Sequence, residues 1–170
     1  MDFMKISPVD MKENVFDTIG NRWMLLTAGD REKFNTMTVS WGGLGVLWGM
    51  NVATCYVRPQ RYTYEFMESS EYFTLSTYSD EYKKQLGICG SKSGRDIDKA
   101  AECGFTADFA QCGAPYFLQA DLVLVCKKLY SSDFDPKNFF DGRIKDCYNP
   151  DDYHRMYIGE IVEILSGQHK

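Results

Sequence analysis

The chain has 170 residues, 44% hydrophobic and 25% charged, with a formal net charge of −5 and a pI near 5.0. This length and balance describe one soluble domain over residues 1–170, large enough to bury a core without metal or disulfide staples. The acidic balance argues against nucleic acid as the main partner, and the lack of an apolar run of roughly 20 residues argues against a membrane span.

In chain order, Ser7-Pro8-Val9-Asp10 predicts the start of a short helix running towards Gly20, which makes residues 1–20 a helical extension. Residues 22–28 read as a strand, Gly29-Asp30-Arg31-Glu32-Lys33 as a hairpin loop, and residues 34–41 as the returning strand. On that strand, period 2 puts Thr36, Thr38 and Ser40 on one face, with Met37, Val39 and Trp41 on the other. A row of hydroxyls can face water or a polar ligand, and the spacing does not choose between them. The glycine-rich stretch 42–49 reads as a flexible connector to an apolar strand over 52–57.

That strand delivers Arg58-Pro59-Gln60-Arg61-Tyr62-Thr63 to a short helix over 64–68. Proline needs no N–H at a helix's first turn, and the free N–H groups there favour an anion. Two arginines and a hydroxyl add charge-assisted bonds. The competing reading is a surface corner with solvated charges.

Residues 72–77 form the next predicted strand, and Ser79-Asp80-Glu81 opens a helix through Leu86. Cys89-Gly90-Ser91-Lys92-Ser93-Gly94-Arg95-Asp96 reads as a small-residue loop, with Asp96 capping a helix over 97–103 that Gly104 ends. Residues 120–129 predict a long buried strand, Phe134-Asp135-Pro136-Lys137 a break, and 157–164 the last strand. Many strands interrupted by short helices, without a βαβ rhythm, predict a mainly β fold with peripheral helices, a β-barrel rather than a Rossmann sheet.

Two cofactor motifs fail on spacing. Gly43-x-Gly45-x-x-Trp48 lacks the third glycine of a dinucleotide fingerprint, and Ser91 separates Gly90 from Lys92 where a phosphate loop needs them adjacent. Only His154 and His169 are present, so no metal site is expected, and no G-x-S-x-G elbow accompanies a histidine. The six cysteines contain no C-x-x-C pair. With no apolar leader at the N-terminus, reduced thiols in a cytoplasm are the expectation. Three polar clusters remain, around Thr36, Arg61 and Lys92, and together they suit a phosphorylated ligand with a planar polar ring.

At these residues the chain resembles the flavin reductase-like family, flavoredoxin branch. The matching strings are Phe34-Asn35-Thr36-Met37-Thr38-Val39-Ser40-Trp41-Gly42-Gly43, Val57-Arg58-Pro59-Gln60-Arg61-Tyr62-Thr63, Cys89-Gly90-Ser91-Lys92-Ser93-Gly94-Arg95-Asp96, and Tyr153-His154-Arg155-Met156-Tyr157-Ile158-Gly159-Glu160. The resemblance implies an FMN-binding split β-barrel, usually homodimeric. It implies that Asn35, Thr36, Met37, Thr38 and Ser40 line the isoalloxazine ring with Trp41 close by. Arg58, Arg61, Tyr62 and Thr63 would address the phosphate and ribityl chain, and Ser91, Lys92, Ser93, Arg95 and Asp96 would close over the flavin. His154 becomes a candidate catalytic residue near the flavin edge, beside the plainer reading of a histidine satisfied by a neighbour. The implied activity is an FMN-dependent oxidoreductase fed by NAD(P)H or a redox protein. Alternatives are a flavoprotein electron carrier, or a binding module of the same barrel.

Overall fold

The computed structural model describes residues 3–149 and 152–167. Its centre is an eight-stranded, wholly antiparallel sheet. The strands are β1 (Phe3–Lys5), β2 (Met24–Gly29), β3 (Phe34–Val39), β4 (Gly42–Leu47), β5 (Met50–Val57), β6 (Tyr72–Thr77), β9 (Leu122–Asp133) and β10 (Arg155–Gly167). Their order is β3-β2-β6-β9-β10-β5-β4, with β1 added to β10. Between β6 and β9 lie α2 (Lys83–Ser91), α3 (Lys99–Cys103) and a separate hairpin of β7 (Ala107–Phe109) with β8 (Pro115–Phe117); α1 (Thr63–Ser69) follows β5. Among the described residues no helix is long and apolar enough to cross a membrane.

Period 2 explains why both faces of the central strands are apolar. Leu122, Leu124 and Cys126 of β9 enter one core cluster with Met24, Leu26, Met37, Phe73 and Tyr157. Val123 and Val125 enter a second cluster with Leu25, Leu86, Phe105 and Phe117, under the helices and the β7–β8 hairpin. Strands covered on both sides read as unbroken hydrophobic runs, as the 120–129 stretch does.

Three expectations are corrected. Residues 3–20 are not one helical extension: Phe3–Lys5 pair with Gly167 to Leu165 of β10, Pro8–Asp10 make one 3-10 turn, and a continuous helical stretch begins only at Val15, with wide π-type turns over Asp17–Arg22. Ser7 makes no side-chain capping bond and Met11 is already extended, so the Pro8 turn has nothing to propagate it. Residues 1 and 2 lie outside the described part.

The stretch 42–47 is a strand, paired with β5 from Gly42↔Cys55 to Leu47↔Met50. The two-residue turn Trp48-Gly49 has φ of 53° and 73°, the doubly left-handed geometry whose twist suits a tight hairpin. Glycine at 42 is needed for approach, because a Cβ there would lie 2.7 Å from the Thr54 carbonyl oxygen. Finally, α2 runs through Ser91. Cys89, Gly90 and Ser91 are therefore helical, and the loop proper starts at Lys92.

Candidate functional site

The turn before α1 is built by its own backbone. The Arg58 carbonyl accepts the Arg61 N–H at 3.0 Å, and the Arg61 carbonyl accepts the Tyr64 N–H at 2.9 Å. At seven residues α1 is too short to offer much dipole, so side chains carry the charge here. Arg61 and Thr63 line a cavity of about 180 Å³ together with Gln60, Tyr62, Ser91, Lys92, Ser93, Gly94 and Lys99. Among the described residues three cations and no carboxylate line it.

The Thr63 hydroxyl is buried and accepts a bond from Asn35 Nδ2 at 2.8 Å, which leaves its proton to donate elsewhere. Arg61 is half-buried and spends one guanidinium N–H on the Gly90 carbonyl at 2.5 Å. Burial, then the charge of Arg58, holds its pKa below the ordinary arginine value. Lys99 is 5% exposed, and its Nζ donates to the carbonyls of Thr36 and Cys89, each at 2.8 Å. Burial is the main cause that lowers it to about 8. Two carbonyls take two of its three protons, and Lys99 lines this cavity and a neighbouring one.

That neighbour, about 500 Å³, shares Tyr62, Gly94 and Lys99 and adds Asn35, Thr36, Arg95 and Asp96. Arg95 lies over the Tyr62 ring at 4.6 Å and reaches Glu65 of α1 at 2.5 Å, so it ties the loop to the helix. Close approach explains Gly94: a Cβ there would sit 2.0 Å from Asn35 Oδ1. Asp98, not Asp96, caps α3, accepting from the Ala101 N–H at 3.1 Å. The Asp96 N–H instead bonds the Ser93 carbonyl within the loop at 3.1 Å.

The structure thus brings together Asn35, Thr36, Arg61, Tyr62, Thr63, Ser91, Lys92, Ser93, Arg95 and Asp96. The hydroxyl row on β3 is largely spent inside the protein. Thr36 Oγ1 shares a 2.9 Å bond with Thr27 Oγ1, and Thr38 Oγ1 donates to the Leu86 carbonyl at 2.5 Å. Ser40 is exposed and borders a shallower hollow with Trp23 and Gly90. Met37 is buried in the first core cluster.

Arg58 turns away from the cavity, donating to Asp152 at 3.2 Å and to the Cys147 carbonyl at 2.8 Å. It joins a second constellation around His154. There the Trp41 ring lies 5.1 Å from the imidazole and the Tyr148 hydroxyl 3.0 Å from Nδ1. Burial, then Arg58, lowers His154 to about 4, so it is neutral at physiological pH. His169 lies outside the described residues.

Lys99 is the residue that sequence reasoning missed. Its one signal was a cation directly after Asp98 on a short helix whose other residues are two alanines, Glu102 and Cys103; a lysine is seldom buried unless the fold supplies it with partners.

A family model described as a flavin reductase like domain matches residues 16–166. Among solved structures, flavoredoxin from Methanosarcina acetivorans superposes with a TM-score of 0.71 at 21% identity, over 96% of this chain and 77% of that one. Flavoredoxin of Desulfovibrio vulgaris (Miyazaki F) gives 0.69 at 22%, over 97% and 78%. An FMN-binding domain of a flavin reductases-like enzyme from Shewanella baltica gives 0.70 at 17%, over 97% and 77%. No functionally curated protein matches the chain. The antiparallel sheet is therefore a split barrel, and the chain belongs to the flavin reductase-like family.

Proposed function

We propose that this protein binds FMN and works as an FMN-dependent oxidoreductase of the flavoredoxin or flavin reductase kind, taking electrons from NAD(P)H or a redox protein. The supporting observation is the convergence of Arg61, Lys92, Lys99 and Thr63 on a small cavity that no carboxylate among the described residues lines, a donor set chemically matched to a phosphate dianion. Asn35, Tyr62, Gly94 and Arg95 border the adjoining space, where the ribityl chain and ring would begin. When bound, FMN supplies hydride and single-electron chemistry. The chain's part is positioning: Arg61 and Lys99 hold the anion, Gly94 lets the loop close on Asn35, and Arg95 latches that loop to α1. His154 is neutral and held by Tyr148, so in this reading it orients a polar edge beside Trp41 rather than moving a proton near neutral pH.

The test is the visible spectrum of the purified protein, before and after FMN and then reduced nicotinamide are added without oxygen. A flavin band that NADH or NADPH bleaches is the expected result. A protein that stays colourless with added FMN refutes the reading. A second reading, an electron carrier with a protein partner, is favoured by the net charge of −5, which suits a basic partner. Bleaching only by a reduced redox protein, and not by nicotinamide alone, would select it. A homodimer in a reducing cytoplasm belongs to the same proposal. Its support is the sheet's terminal strand β4 and the turn after it, where Val46 and Trp48 are exposed, and sedimentation of the purified protein tests it.

A further inference from the structure

Two thiols sit at the foot of the loop that carries the cavity's cations. Cys89 belongs to the last turns of α2 and Cys103 ends α3, and their sulfurs are 3.7 Å apart in the second core cluster. The other four cysteines are placed differently: Cys55 and Cys126 are buried in the first cluster, and Cys112 and Cys147 are exposed.

We propose that Cys89 and Cys103 form a reversible disulfide site, oxidised by a low-molecular-weight disulfide, which clamps the loop between α2 and α3. A disulfide needs sulfurs about 2.0 Å apart, so the present contact closes by side-chain torsion plus a small approach of the two helix ends. The segment that such a bond would enclose holds Ser91, Lys92, Ser93 and Lys99 of the cavity. It is already tied at one point, since Lys99 Nζ donates to the carbonyl of Cys89.

Cys103 is the point of entry, because it is 8% exposed where Cys89 is fully buried. Their contact acts in opposite senses on the two thiols, lowering Cys103 and raising Cys89, although burial keeps both above the ordinary cysteine value. The Cys103 thiolate attacks one sulfur of the small disulfide and expels one thiol, leaving a mixed disulfide on Cys103. The Cys89 thiol then loses its proton and attacks Cys103 Sγ, expelling the second thiol. The protein gives up two electrons and two protons, and the small disulfide becomes two thiols. Since both thiols are raised, exchange quickens as pH rises.

The test treats the folded full-length protein, without FMN, with glutathione disulfide at mildly alkaline pH. Remaining thiols are then alkylated in denaturant and the peptides mapped by mass. The expected product joins the peptides containing Cys89 and Cys103, is lighter by two hydrogens, reverts with dithiothreitol, and is absent from Cys103→Ser. The double variant Cys112→Ser, Cys147→Ser still forms it. Amide hydrogen exchange across residues 90–102 should slow in the oxidised protein. Complete alkylation of Cys89 and Cys103, or a mixed disulfide on Cys103 that never closes, overturns the site. A bond that forms without slowing exchange overturns the clamp. None of these readouts requires flavin, so they stand apart from the FMN proposal, on which only an effect on cofactor release would rest.

Discussion

Arg61 and Lys99 reach one cavity from different elements and bring different kinds of charge. Arg61 is a fixed cation, so Arg61→Ala should weaken FMN binding by about 1.5–3 kcal/mol, the range for a bond to a charged group. A flavin titration reads this, and an unchanged dissociation constant would move the phosphate away from α1. Lys99, lowered to about 8 by burial, is a cation below that pH and neutral above it. A bound dianion favours the charged form, so affinity should fall as pH rises through about 8, with proton uptake on binding in that range. Lys99→Met should bind more weakly at neutral pH and lose this dependence; a wild-type affinity that ignores pH there would remove Lys99 from the anion's surroundings. His154 makes a prediction about stability instead. Unfolded, it takes up its proton near 6.5, whereas in the fold it does so only near 4. Its share of stability is complete above 6.5 and drains as pH falls through that window. Denaturant midpoints measured across the window should show a shallower acid loss for His154→Gln than for the wild type, since the carboxylates common to both cancel. Equal slopes would mean the imidazole is not held neutral.

Elements differ in how much of themselves they declare. The strand Tyr72–Thr77 was legible to the residue, because Phe73 and Leu75 alternate with hydroxyls between clear turn signals. The corner at Pro59 was legible as a turn into a short helix, although that helix starts at Thr63 and Pro59 lies in the turn before it rather than in its first turn. β4 was not, because Gly42, Gly43 and Gly45 erase the side-chain alternation that marks a strand. Its evidence is the pairing with β5 across the Trp48-Gly49 turn, which the side-chain pattern does not display. The same limit applies to the site. Local spacing found Arg61, Lys92 and Ser93, but Arg58 stands only three residues from Arg61 and answers to Asp152, a partner 94 residues away. Lys99 was hidden for the same reason, its acceptors being carbonyls of β3 and α2. Loop closure at Gly94 tests the element directly. With Ala there, a Cβ at 2.0 Å from Asn35 Oδ1 must push either the loop or Asn35 aside. Asn35 is buried and bonded to Thr63, so the loop should be the one to yield. Gly94→Ala is expected to weaken FMN binding at least as much as Arg61→Ala while leaving the melting temperature close to wild type. A large drop in melting temperature would show that Asn35 yielded instead.

At the scale of the molecule, β10 holds the sheet together. It pairs with β9 on one side and with β5 and β1 on the other, so every path from the β2–β3 hairpin to the β4 edge crosses it. The register against β9 slips between Ile158 and Gly159 and again between Ile161 and Glu163, and such bulges bend a long strand so that the sheet can curl. Gly159 sits at the first slip for a packing reason. A Cβ there would lie 2.7 Å from the Phe73 ring of β6 and 2.9 Å from Cys126 Cβ of the adjacent β9, both buried. Phe73 cannot rotate away without opening the first core cluster, where it meets Cys126 and Tyr157. Gly159→Ala should therefore act as overpacking and destabilise the whole fold by about 1–3 kcal/mol. The loss should appear as a lower denaturant midpoint with an unchanged slope, because the strain falls on the cooperative unit rather than on one loop. A companion Phe73→Leu, which frees the space that the new methyl needs, should recover part of the loss relative to the sum of the two single changes. If the effects of Gly159→Ala and Phe73→Leu simply add, the contact that sets this glycine lies elsewhere than the ring of Phe73.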